Sequence, residues 1–481
     1  MKRANTMLCC ALAALIAGCA LGPKYERPPA DLPAAWQGMP ATGGVGAPGE
    51  RWWMLYGDPA LDRLVEEALA HNQDLALAVA RVDEARALAR VSDSLRYPSV
   101  DASFNRERSR RSEVTSTPFP PGTPIESNDY RAQLNVAYEV DLWGRLKSGS
   151  DAARANLLAT AAARETVRIA LETEVVRGYY NLISLDAQVA ATRRALDLRS
   201  NGLELQKVRA KAGLINDLSL RQLEAEVAAA QSQLPALAAN QTAQELALAV
   251  LAGRSPRAIT EGGVERRPEQ GEPQPPIVPE GLPSDLLLRR PDVVQAEQQL
   301  IAANARIAEA RAALFPRILL TGYLGSESAA LGNLFSGPAA IWSLAFGLAQ
   351  PIFQGGRLFA EIDAVKARER QAIALYQKAL QDAFREVRQG LSTQLRAREV
   401  YDSETNRAAA LTDALRLARL RYQQGLLSQL EIIDAERNLL QAELNRSDAL
   451  RAQRAAVADL VKALGGGWQG LEATPIAERK P

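Results

Sequence analysis

The chain states one plan twice, and that duplication constrains its fold more than any other feature. A helical pattern from Pro59 to Arg96 stops at Tyr97-Pro98, and a second from Pro291 to Leu314 stops at Phe315-Pro316. After each stop the residues alternate in character, then meet a Gly-Arg pair, Gly144-Arg145 and Gly356-Arg357. A very long helical run follows in each copy and breaks once, at Arg209-Ala-Lys-Ala-Gly213 and at Arg421-Tyr-Gln-Gln-Gly425. The spacing from Gly144 to Gly213 equals that from Gly356 to Gly425. Agreement along the whole series marks an internal repeat. Each copy is read as a β-hairpin, 98–142 or 316–353, followed by a helical hairpin turning near 213 or 425.

The alternating stretches indicate what the hairpins face. From Tyr130 the apolar set is Tyr130, Ala132, Leu134, Val136, Tyr138, Val140 and Leu142, interleaved with Arg131, Gln133, Asn135, Ala137, Glu139 and Asp141. Period two of this kind is a strand with one greasy face and one polar face. Val100, Ala102 and Phe104 alternate in the same way, as do Trp342, Leu344, Phe346 and Leu348; Arg317 to Gly325 alternates weakly. Strands of about 9–11 residues, tilted, span a bilayer with apolar side chains toward lipid. Four strands cannot close a barrel, which needs about eight, and an isolated sheet would expose its edges. Several subunits sharing one barrel remove both objections; soluble hairpins packed on helices are the competing reading. The helical arms, roughly 50–70 residues each, would reach about 75–100 Å and are rich in alanine, which permits close coiled-coil contact. Asn216 and Ser428 sit where the returning helices need N-caps.

Composition narrows the chemistry. Lys2 and Arg3 precede a short apolar stretch, Met7 to Ala17, that ends in Leu15-Ile16-Ala17-Gly18-Cys19. The stretch is shorter than the roughly 20 residues a spanning helix needs and reads as a signal peptide. Its small residues and following cysteine are what lipoprotein processing uses, so Cys19 is expected to carry the lipid, and Ala20 after it points to the outer membrane. Removal of Cys9 and Cys10 with the signal leaves one thiol and no internal disulfide. One histidine, His71, leaves little for a metal centre or a catalytic triad. A formal net charge of +1 offers no footprint for nucleic acid. Low aromatic content, 5%, suits long helices better than a compact core. No cofactor is expected.

Several strings carry a family resemblance: Pro23-Lys-Tyr-Glu-Arg-Pro28, Trp53-Met-Leu-Tyr-Gly-Asp-Pro59, Tyr138-Glu-Val-Asp-Leu-Trp-Gly-Arg145, Leu282-Pro-Ser-Asp-Leu-Leu-Leu-Arg-Arg-Pro-Asp292, Gln350-Pro-Ile-Phe-Gln-Gly-Gly-Arg357 and Arg421-Tyr-Gln-Gln-Gly-Leu. In this order and spacing the chain resembles the TolC-like outer-membrane factors, in particular the lipoprotein branch of efflux channels typified by OprM. The resemblance implies an α+β fold: a homotrimer whose transmembrane β-barrel of about twelve strands, four per subunit, is continuous with a long periplasmic α-helical barrel. It also implies a tripartite efflux pump that exports drugs or other toxic compounds, with a periplasmic adaptor and an inner-membrane pump of the RND type as partners.

A gate is expected where the helical hairpins turn. Leu430 and Asp434 lie four apart, and Glu431 and Asp434 three apart, so all three can share a helix face. Under three-fold symmetry they become a leucine constriction and up to two carboxylate rings, a recurrent selectivity device. By resemblance, Leu430 and Asp434 match the narrowing positions of the family, and Asp217, at the first copy's turn, matches a residue that holds the closed state. Capping is the competing reading: Ser428-x-x-Glu431 is a capping box, and Asp434 and Asp217 also suit a helix N-terminus.

The organisation expected is a signal peptide at 1–18, a lipid-anchored segment at 19–58, a first repeat at 59–254, a Pro-rich linker at 255–284 with little helix from Gly262 to Pro283, a second repeat at 285–465 and a tail at 466–481. Other readings are a coiled-coil scaffold lipoprotein without a lumen, an envelope enzyme limited to carboxylate chemistry, and, among ducts, type I secretion or metal-ion efflux. Only Met39 and Met54 remain after the signal, so no Met-rich copper path is visible.

Overall fold

The computed structural model describes residues 22–29, 49–114, 122, 124–267, 284–468 and 470. Cys19 with the signal stretch before it, most of the Pro-rich linker (268–283) and the tail from 471 lie outside the described residues. The first copy comprises α1 (Pro59–His71), α2 (Gln73–Ser94), β1 (Ser99–Arg110), β2 (Glu126–Val140), α3 (Arg145–Lys211), α4 (Asp217–Leu251) and α5 (Pro256–Glu261). The second comprises α6 (Pro291–Ala312), β3 (Arg317–Ser328), β4 (Ala340–Ala349), α7 (Arg357–Gln423) and α8 (Gln429–Ala463). The copies agree in length: α3 and α7 each have 67 residues, α4 and α8 each 35.

One expectation is corrected. The single helix read from Pro59 to Arg96 is two helices, broken at Asn72. The Asn72 backbone is extended; its side-chain oxygen accepts from the Leu75 amide at 3.0 Å while its amide nitrogen donates to the Leu251 carbonyl at 2.9 Å. One residue thus caps α2 and ties it to the end of α4. Just before the Pro-rich stretch the chain forms α5, where the Ser255 hydroxyl accepts from the Ala258 amide and Pro256 occupies the first turn.

The chain divides into two units. One gathers Val82–Thr160, Ala296–Tyr376 and the described part of Met1–Pro29. Its centre is one antiparallel sheet in the order β1-β2-β3-β4, so the two hairpins join through β2 and β3. Register puts Ala102, Leu134, Leu324 and Trp342 in one row, and Val100, Val136, Gly322 and Leu344 in the next row on the same face. That face is bare: Trp342 is 76% exposed and Leu344 80%. The other face carries Ser103, Gln133 and Asn135, linked by side-chain hydrogen bonds of 3.0 and 2.8 Å, and the Arg131–Glu327 ion pair at 2.6 Å. A sheet greasy on one side and wet on the other has its solvents assigned by its sequence. The strand-to-helix corner explains the Tyr138–Arg145 string. Glu139 takes both Nε and Nη2 of Arg145, the Asp141 carboxylate accepts from the Lys147 amide at 2.7 Å, and Trp143 donates to the Pro316 carbonyl at 2.8 Å. The Pro23–Pro28 string docks on α6, where Glu297 accepts from Tyr25 and from two nitrogens of Arg27.

The other unit contains Ala161–Gln295, Gln377–Pro481 and the described part of Ala30–Arg81. Trp52, Trp53 and Tyr56 pack with Leu61, Val65, Val176, Tyr180 and residues of α8. The Arg290 guanidinium in the Leu282–Asp292 string donates to the Ala463 carbonyl and pairs with Asp292 and Glu386. Within this core Glu172 is fully buried, accepting from the Trp52 indole at 2.9 Å and from Arg168 at 2.7 Å. Burial pushes its carboxyl from the ordinary 4.5 up to about 7, against the pull of Arg168 and Trp52. The folded chain therefore takes up a proton here between about pH 4.5 and 7. Stability should fall as pH rises through that window, by on the order of 3 kcal/mol in all. Unfolding of a Glu172→Gln variant should lack that slope, which a pH series of unfolding curves would show.

Candidate channel wall and helical-tip gate

Both helical hairpins turn by the same device. In the first, Gly213 N–H donates to the Ala210 carbonyl and Leu214 N–H to the Arg209 carbonyl, both at 2.9 Å; in the second, Gly425 and Leu426 donate to Tyr422 and Arg421 at the same distances. This is a Schellman closure, which needs a left-handed residue. Gly213 and Gly425 supply it at φ +72° and +73°. The returning helices are capped at Asn216, whose side chain accepts from the Ser219 amide at 2.9 Å, and at Ser428. The Ser428 amide and hydroxyl both donate to Glu431 at 2.9 Å.

These contacts separate the expected gate residues. Glu431 is committed to the cap, and the Ser428 amide holds its carboxyl below the usual range. Asp217 is the first residue of α4; the cap beside it is Asn216. Asp434 stands exposed on the second turn of α8 and pairs at 2.8 Å with Arg437, itself exposed. Leu430 is 50% exposed, and Ile432 and Ile433 fill the hairpin packing instead. Ile433 joins Leu203, Leu223 and Val227 in a small core shared by the two hairpins. Leu214, Leu218 and Leu426 are exposed as well, so both turns present leucines at equivalent positions, Leu218 matching Leu430.

A cross-hairpin tie was not anticipated. Gln206 Nε2 donates to the Tyr422 hydroxyl at 2.8 Å and to Gln429 Oε1 at 3.0 Å, and Arg209 donates to the same hydroxyl at 3.0 Å. Tyr422 thus receives two donors from α3 across the gap between copies. Arg209 and Tyr422 lie inside the two strings that mark the helix breaks, so their position in the repeat was a usable signal. Nearby, Arg419 pairs with Glu436 at 2.8 Å. Among the described residues no three His, Cys, Asp or Glu side chains gather to hold a metal ion. No helix among them is long and apolar enough to cross a membrane.

A four-stranded sheet with one lipid-ready face and one polar face, carried with two tied helical hairpins, is the protomer of a membrane channel. Comparison with known proteins gives the family. The model of the outer membrane efflux protein family matches residues 64–254 and 282–466. The solvent efflux pump outer membrane protein SrpC of Pseudomonas putida is 36% identical over 466 residues, covering 94% of this chain and 96% of that protein. The probable outer membrane lipoprotein SilC of Salmonella typhimurium is 32% identical over 460 residues, with 94% and 97% covered. The crystal structure of the Campylobacter jejuni CmeC outer membrane channel matches with a TM-score of 0.88 at 25% identity, over 94% of this chain and 96% of that one. The chain belongs to the outer membrane efflux protein family. It is an outer-membrane channel for efflux, in which each of three copies gives four strands to a β-barrel and its helices to an α-helical barrel. Channels of this family work as homotrimers in pumps with adaptor and inner-membrane partners.

Proposed function

We propose that this chain is the exit duct of an RND-type pump that expels organic solvents and other small toxic compounds, and that it has no enzymatic activity. Cys19 carries the lipid that helps hold it in the outer membrane. The duct stays shut at the turns of its helical hairpins, where Leu430 and Asp434 of three copies ring the lumen. Glu431 fixes the start of α8 and adds charge beside that ring, and Asp217 adds charge at the other turn. The single observation that supports this reading is the pairing at the tip. Leu430 and Asp434 stand out from a hairpin whose packing is filled by neighbouring isoleucines, while the Tyr422 tie holds the two hairpins together. Side chains that the fold does not need for packing are free to form a constriction in an assembly. The solvent specificity follows the name of the similar pump protein SrpC.

Export tests it. A strain lacking its own efflux channels, given this chain with an RND pump and adaptor, should regain growth in the presence of toluene. No gain in tolerance, with the trimer present in the outer membrane, would overturn the pump assignment.

A further inference from the structure

The apolar face of the sheet ends abruptly in arginine. Along β1 the side chains on that face run Val100, Ala102, Phe104, then Arg106, Arg108 and Arg110. The face is set by register: Phe104 lies opposite Ala132, Arg106 opposite Tyr130, Arg108 opposite Asn128 and Arg110 opposite Glu126. From Val140 to Ala132 the apolar face extends about 27 Å along the strand, which at the usual tilt of about 40° rises about 20 Å, most of the ~25 Å apolar band of outer-membrane barrels. The arginines begin one row beyond it, on the side facing lipid rather than the lumen. They stand at the end of the sheet where β1 and β2 are joined by a loop, opposite the end that leads into the helices. The helical part of this family is periplasmic, so the loop end meets the outer leaflet.

Arginine on a lipid-facing strand is costly at mid-membrane and nearly free at the interface, where it meets headgroups. Here three recur at every second position, about 7 Å apart and about 14 Å from first to last. Arg106 lies over the Tyr130 ring, 5.7 Å from its centroid, and has no carboxylate partner among the described residues. Arg108 and Arg110 pair with Glu126 and Glu113 at 2.8 and 3.1 Å, with all four side chains at least half exposed. Such exposed pairs are weak and exchange readily for a better anion. In the shared barrel the β1 edge meets the β4 edge of a neighbouring copy. From Ser328 to Gln350 the sequence contains no acidic residue, so β4 and the loop before it bring no carboxylate to the patch. Three arginines on this face therefore meet two carboxylates, and Arg106 remains open to an anion from outside the protein.

The outer leaflet of a bacterial outer membrane consists of glycolipid bearing phosphates at the two ends of an acylated disaccharide. The geometry points to a binding site for that phosphorylated glycolipid on Arg106, Arg108 and Arg110, one per copy. Guanidinium forks match phosphate oxygens in pairs. Phe104 and Trp342, on the same face one and two rows closer to mid-membrane, meet the acyl chains below. The site orients the barrel in its leaflet and seals the seam between copies with lipid. It rests on the barrel orientation described above.

The test is native mass spectrometry of the purified trimer with added bisphosphorylated lipid A. Wild type should hold the lipid. A variant with Arg106→Gln, Arg108→Gln and Arg110→Gln should bind about tenfold or more weakly, while Arg257→Gln on α5 binds as wild type. Wild type should show a similar loss toward lipid A stripped of both phosphates, a comparison independent of how the variant folds. Equal binding by the triple variant, equal binding of the stripped lipid, or equal competition by phosphatidylglycerol would each overturn the site. The triple variant should conduct like wild type in planar bilayers. Absence of a pore in wild type would count against the channel reading instead.

Discussion

Cells carrying the Leu430→Ala, Asp434→Ala variant are expected to become several-fold more sensitive to bulky hydrophilic antibiotics that the outer membrane normally excludes. The reasoning begins with what these side chains do not do. Leu430 is half exposed, and Asp434 pairs only with the exposed Arg437 among the described residues. The core between hairpins is built from Leu203, Leu223, Val227 and Ile433. Removing Leu430 and Asp434 therefore leaves the protomer's packing intact, because deletions outside a packed core cost little. In the three-fold ring proposed above, the same change removes three isobutyl groups and three carboxylates from one level of the lumen. Both steric and electrostatic barriers fall together. Tyr422→Phe should have a smaller effect in the same direction, since it removes one acceptor shared by Gln206 and Arg209. Unchanged antibiotic sensitivity in the double variant, at equal protein level, would place the gate elsewhere.

The second large effect is on stability. Arg168→Met should destabilise the protein by about 3–5 kcal/mol at pH 8, the range found when one partner of a buried ion pair is removed. Arg168 holds both Glu165 and Glu172, at 2.7 Å each. Glu165 retains Arg164, but among the described residues Glu172 is left with only the Trp52 indole for its charge. The loss should shrink toward pH 5, because Glu172 can then be protonated. Adding Glu172→Leu to Arg168→Met should recover much of the stability, since well-packed apolar groups often replace a buried pair without loss. Urea unfolding of the trimer, followed by tryptophan fluorescence at fixed protomer concentration, measures all three. A loss below about 1 kcal/mol in the single variant, as for an exposed pair, would show that Glu172 is not buried as described.

What was legible in the sequence was local. The glycines of the two helix breaks could be read because a left-handed turn has few alternatives to glycine. β2 could be read because Tyr130 to Val140 alternates throughout, with Ala137 the one apolar residue on the polar face. β3 was harder: Leu319 and Leu320 are consecutive, and Gly322 and Gly325 remove side chains from both faces. Gly325 is needed because the backbones crowd there: an added Cβ would lie 2.2 Å from the Ala132 carbonyl oxygen. The far end of β1 has no apolar residue from Asn105 to Arg110, and only its pairing with β2 reveals a strand. Asn72 was missed because its capping role depends on Leu251, remote in sequence.

The gate shows the same division. Leu430, Glu431 and Asp434 were chosen by helical spacing and by the family resemblance. Their different environments were not legible, since a carboxylate that closes a capping box and one that pairs with an arginine along the helix look alike at three-residue separation. The tie from Gln206 and Arg209 to Tyr422 joins the two copies of the repeat, and no periodicity reports a contact at that range. The repeat itself supplied an indirect clue, because equivalent turns at Gly213 and Gly425 must lie together if the copies pack in parallel.

Single-channel conductance in planar bilayers tests the central claim most directly, with wild type recorded beside Leu430→Ala, Asp434→Ala. A duct closed at its helical tip predicts small steps from wild type and clearly larger ones from the variant. Equal steps from both would remove the gate from the tip, and insertion of both without conductance would contradict the channel itself.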